Sequence, residues 1–171
     1  MKTALKISGL AAAFAMGAAA FSATPRAEDT ALVPTLTAEH IAADAALTFN
    51  KIDVDRSGTL DAQEYAAQAI VFAKIAREQR LVTIDASPAV QIAVPQDVES
   101  ILSARDRLRI DAIARAEFHH FAGDDGQLSP VEWEQARSAL FHQADRNADG
   151  RLKAEEVAYF ATHIAQHTLP A

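Results

Sequence analysis

The stretch DVDRSGTLDAQE, residues 53–64, sets four carboxylates, those of Asp53, Asp55, Asp61 and Glu64, around a single glycine, Gly58. Helical periodicity flanks it on both sides. Upstream, Thr37 precedes AEHIAADAALTFNKI, where Ile41, Ala45, Phe49 and Ile52, with Leu47 a weaker member, form a stripe that Thr37 can cap. The pattern predicts a helix over residues 38–52, and a second from Ala62 to about Arg80 with Tyr65, Ala69, Phe72 and Ile75 or Ala76 on one side. So much like charge in one turn between two helices is unfavourable unless a cation joins it.

The spacing fits D-x-[DN]-x-[DN]-G-x5-E, with Asp53, Asp55, Ser57, Gly58 and Glu64 at positions one, three, five, six and twelve. DRNADGRLKAEE, residues 145–156, repeats it with Asp145, Asn147, Asp149, Gly150 and Glu156 in the same places. Average residue frequencies give roughly one such match per million windows, so two in one short chain are not coincidence. Phe49 and Phe141 each stand four residues before a loop, and Leu60 and Leu152 each occupy position eight.

Both stretches resemble the calcium loops of the EF-hand family, and with the export signal described below the chain is similar to its secreted bacterial type. The resemblance implies an all-α domain of helix–loop–helix units over about residues 37–168, with two Ca2+ sites. In the first, alternate side chains of a tight loop point inward: Asp53, Asp55 and the Ser57 hydroxyl supply oxygens, and Gly58 permits the turn. Thr59 adds its carbonyl, Asp61 binds directly or through water, and Glu64 closes the shell with two oxygens. A bidentate Glu favours calcium, which takes about seven oxygens at roughly 2.3–2.6 Å, over octahedral magnesium. In the second, Asp145, Asn147, Asp149, the Arg151 carbonyl and Glu156 take those roles. Lys153 at position nine cannot ligate, so water fills that place, and three carboxylates against four predict weaker binding.

A third segment, FAGDDGQLSPVE at residues 121–132, aligns on Gly126 but has Phe121 at position one and Gly123 at position three. It is expected to be a structural hand without metal. The other arrangement, a shortened loop using Asp124, Asp125, Ser129 and Glu132, departs further from the pattern. Leu128 still holds position eight, and Trp133 is expected in the core. The last two loops start 24 residues apart (121 to 145), so they lie at opposite ends of one shared helix. The first loop can pair with either of them, Leu60 meeting Leu152 or the degenerate hand.

The N-terminus, with Lys2 and Lys6 ahead of an apolar run from Ile7 to Phe21 and small residues after it, has the layout of a secretory signal peptide over residues 1–22, cut near Ser22. The run is shorter than the ~20 residues that span a bilayer. The protein is therefore expected in a periplasm or secreted, with no membrane attachment after cleavage. Residues 23–36, with two prolines and no period, are expected to be a flexible leader. Taking Lys2 and Lys6 from the 16 basic residues leaves 14 against 23 acidic ones, a net charge of −9. That surface excludes nucleic acid as a partner. No cysteine is present, and both methionines, Met1 and Met16, fall in the signal.

The remaining elements are read from period and capping. Val82 and Ile84, then Val90, Ile92 and Val94, alternate around DASP and suggest a small hairpin within residues 81–95. A long helix is expected from about Gln96 to Phe121, with Val98, Ile101, Leu102, Leu108, Ile113 and Phe118 inward and Arg105, Asp106, Arg107, Arg109 and Asp111 solvated. Ser129-Pro130-Val131-Glu132 starts a helix to about Ala144, and a last helix takes residues 154–167. His163 and His167 are four apart, but no third ligand is visible for a zinc-type site. His119 and His120 read as helix surface. No Ser-His-Asp order, nucleophile elbow or phosphate loop is present, so the expected protein is a non-enzymatic calcium-stabilised module or buffer, with an unidentified protein partner open. Its alternatives are a helical, chaperone-like interaction protein with architectural hands, a calcium sensor with a protein target, and transition-metal handling by the histidines.

Overall fold

Each helix of the domain begins at a residue able to satisfy its free amide groups, with one exception. The computed structural model describes residues 35–167, in the order β1 (Thr35–Thr37), α1 (Ala38–Ile52), α2 (Ala62–Gln79), β2 (Leu81–Ile84), β3 (Val90–Ala93), α3 (Ala104–Phe121), α4 (Pro130–Ala144), β4 (Arg151–Lys153) and α5 (Glu155–Gln166). Thr37, Asp61, Ser103 and Ser129 cap α1 to α4, each through a capping box. Ala154, ahead of α5, makes no side-chain cap. The expected signal peptide, its cleavage point and the leader up to residue 34 lie outside the described residues. No helix among the described residues is long and apolar enough to cross a membrane.

Helices dominate, as expected, but three strand pairings qualify the all-α reading. β2 and β3 form an antiparallel hairpin, Leu81 opposite Ala93 and Ile84 opposite Val90, with Val82, Ile84, Val90 and Ile92 buried. Leu60 and Leu128 form a single bridge with both backbone hydrogen bonds made, at 2.8 and 2.9 Å. The first loop therefore pairs with the degenerate one. β4, in the loop at residues 145–156, pairs instead with β1, Leu152 opposite Leu36. Thr35 and Leu36, which the Pro-containing sequence places in a flexible leader, belong to that strand, and Leu36 is fully buried.

This connectivity follows from helix length. α4 has 15 residues, which at ~1.5 Å each sets the loops at its two ends roughly 22 Å apart. One partner cannot reach both. α1 lies antiparallel beside it, so β1 meets the last loop at one end and the first loop meets the degenerate hand at the other. Asp44 and Arg137 join the two helices by a buried ion pair of 2.7 Å, and the Trp133 indole donates to the Ala45 carbonyl. The apolar interior correspondingly divides. Phe49, Ile52, Leu60, Tyr65, Phe118, Leu128 and Trp133 fill one cluster; Leu36, Ile41, Phe141, Leu152 and Phe160 fill the other, with the hairpin.

The expected helix from Gln96 is corrected: α3 starts only at Ala104. Ser103 is its cap, and Asp106, expected in solvent, is the residue that reaches back to it. The segment before it is tied down by guanidinium groups. Arg80 donates to the carbonyls of Val94, Pro95 and Val98, and the buried Arg77 reaches Ile101, Asp106 and Ala165. The inward face of α3 is Ile110, Ala114 and Phe118, whereas Ile101 and Leu108 are exposed.

Candidate metal centre

In the first loop the chain turns as the motif demands. Arg56 and Gly58 both have positive φ, 60° and 83°, at positions four and six. These turns aim backbone N–H groups at the first carboxylate: Ser57 and Gly58 donate to the two oxygens of Asp53 at 2.9 and 3.0 Å, and Ser57 N–H also reaches Asp55. Glu64, in the first turn of α2, folds back so that its Oε1 accepts from Val54 and its Oε2 from Asp61, at 2.8 and 3.1 Å. Ligand oxygens of Asp53, Asp55 and Glu64 thus lie within 4.8 Å of one another, the one such cluster of three among the described residues.

The repulsion expected among these carboxylates is partly offset by the amides around them. The Ser57 amide, donating to Asp55 at 2.9 Å, holds the Asp55 carboxyl below the usual carboxylate range, so it is ionised at neutral pH. The Ser57 hydroxyl donates to the Thr59 carbonyl at 2.8 Å. Asp61 has a role beyond position nine, its Oδ1 accepting the Gln63 and Glu64 amides as the cap of α2. Across the bridge, the Thr59 hydroxyl donates to Gln127.

The loop at residues 145–156 repeats the turn, with Ala148 and Gly150 at φ 55° and 75°. Asp149 and Gly150 amides donate to the two Asp145 oxygens, Asp149 N–H also to Asn147, and the Arg151 amide to Asp149. Glu156 accepts from Arg146 and Lys153. The five positions named from the sequence are therefore arranged as in the first loop. The difference is Lys153, whose ammonium lies 3.1 Å from Asp149 and holds its carboxyl below the usual range. This internal cation occupies a carboxylate that the motif assigns to metal. The spacing from Asp149 to Lys153, four residues, is the signal from which the contact could be read.

The degenerate segment holds no comparable cluster. Ser129 donates to Glu132 through both its amide and its hydroxyl, and Asp125 accepts the Gln127 amide, so these groups start α4 and shape the turn. Trp133 is buried, as its position suggested. Elsewhere, Glu117 of α3 lies 3.0 Å from Nε2 of His167, a neighbour that the sequence did not reveal. Burial, with His167 nearby, pulls His163 down to about 4, so it is neutral at physiological pH. Both histidines line a cavity of about 380 Å³ with Tyr65, Phe72, Phe121, Trp133, Arg137 and Ile164.

The model of the family described as EF hand matches residues 45–67 and 137–158. These segments enclose the two complete loops with parts of their flanking helices, and both are EF hands, the calcium-binding helix–loop–helix. No curated protein and no solved structure matches the chain.

Proposed function

We propose that this chain, with its two EF hands, is an exported, non-enzymatic calcium-binding module with two sites, in which the ion stabilises the fold. The observation that carries this reading is the paired geometry of the loops at residues 53–64 and 145–156: the same two left-handed turns, the same amides on the first carboxylate, and a Glu at position twelve turned back over the loop. Such a site gains cation affinity from oxygens already gathered, and binding to the folded loops in preference to the unfolded chain raises stability by mass action. Export rests on the charged and apolar pattern of residues 1–22. The acidic balance argues against a nucleic-acid partner.

A second reading, a calcium-regulated binder of a protein target, draws support from the cavity bounded by Phe72, Phe121, Leu140 and Ile164. Thermal unfolding followed with and without millimolar calcium, beside binding of an apolar-surface dye, separates the two. The module reading expects a rise in Tm that magnesium does not reproduce, with dye binding unchanged. A Tm indifferent to calcium would overturn it, and dye uptake on adding calcium would favour the binder.

A further inference from the structure

In the loop at residues 145–156, positions seven to nine form the short strand β4, and an EF-hand loop lends the carbonyl of position seven to its ion. Whatever pairs with that strand orients the ligand. For the loop at residues 53–64 the partner is the degenerate hand, through Leu60 and Leu128. For the loop at residues 145–156 it is no hand at all. Thr35, Leu36 and Thr37 stand opposite Lys153, Leu152 and Arg151, the last being position seven.

The packing makes the same division. Leu36 has no exposed surface and shares a buried cluster with Leu152, with Phe141 from the helix entering that loop and with Phe160 from the helix leaving it. Leu60 and Leu128 belong to the other cluster. Thr37 ends the strand and caps α1, so strand and helix are set by one residue.

Resting on the calcium reading of this loop, we infer that the strand Thr35–Thr37 is part of the second calcium site, with Leu36 as its positioning residue, and that the two sites load independently. The strand fixes the peptide planes of residues 151–153, and Leu36 holds the entering and leaving helices at the spacing Glu156 needs. Calcium bound there in turn stabilises the docked strand, because linkage is reciprocal. The first site, with its own bridge and its own cluster, is unaffected.

The test is calcium titration calorimetry on the full chain, in two backgrounds. In Glu64→Gln, which leaves the second loop to report, adding Leu36→Ala is expected to weaken calcium by about tenfold, since a buried leucine is truncated against the loop. In Glu156→Gln, where the first loop reports, Leu36→Ala leaves affinity within about twofold. Equal weakening in both backgrounds, or none in the first, overturns the inference while leaving calcium binding intact. No calcium heat in Glu64→Gln with Leu36 in place overturns the calcium reading of this loop and the inference with it. Hydrogen exchange on the Glu64→Gln chain needs no core substitution: calcium is expected to slow amides in residues 35–37 and 151–153 together. Protection confined to residues 151–153 would overturn the coupling.

Discussion

Removing the Asp44 carboxylate tests the antiparallel seating of α1 against α4 that sends the two loops to different partners. Asp44 is 2% exposed; one oxygen lies 2.7 Å from Arg137 and the other accepts the Asp85 amide of the hairpin at 2.8 Å. Asp44→Ala would leave a guanidinium enclosed by Phe72 and Trp133, whose Nε has no hydrogen-bond partner, without its counter-charge. Stranding one member of a buried pair costs about 3–5 kcal/mol. For a domain of this size that corresponds to a fall in Tm of roughly 10–20 °C. The assay is urea and thermal unfolding with calcium chelated, so that metal linkage does not enter. Asp44→Ala with Arg137→Met should recover most of the loss, because the charge is then absent. A single-variant loss below about 1 kcal/mol would refute the reasoning, showing the pair screened as surface pairs are.

Three other expectations concern the two loops and the cavity. Lys153→Gln removes the ammonium from Asp149 and should tighten calcium at the second loop a few-fold, most at low salt; unchanged affinity in a Glu64→Gln background would count against competition by the lysine. Gly58→Ala meets no atom within 4 Å, so its cost, about 1 kcal/mol measured by urea unfolding, should come from φ +83° alone. His163 has a folded pKa below its unfolded one, so its contribution is present above about pH 6.5 and is lost as pH falls toward about 4, when the unfolded chain takes up the proton. Stability measured between pH 7.5 and 5 should therefore fall less steeply in His163→Gln, and an identical slope would contradict the assignment.

The two EF-hand loops were legible because their information is local: ligand type, a glycine and a closing Glu recur within twelve residues. Helix starts with a Ser or Thr cap were legible for the same reason at Thr37 and Ser129. Ser103 with Asp106 carries the same signal, but an approximate apolar stripe reaching back to Val98 obscured it. Arg77 and Arg80 hold residues 94–102 out of the helix through contacts that no local pattern announces. Partner choice was equally hidden. Leu36 is one apolar residue between two threonines, two places after Pro34 in the sequence, and only the length of α1 and α4 brings it to Leu152.

The central claim, two calcium loops of unequal strength, is tested most directly by calcium titration of the full chain with magnesium present. Two ions per chain are expected, the tighter lost in Glu64→Gln and the weaker in Glu156→Gln. A single ion, or a Glu156→Gln variant that loses the tighter one, would contradict the account.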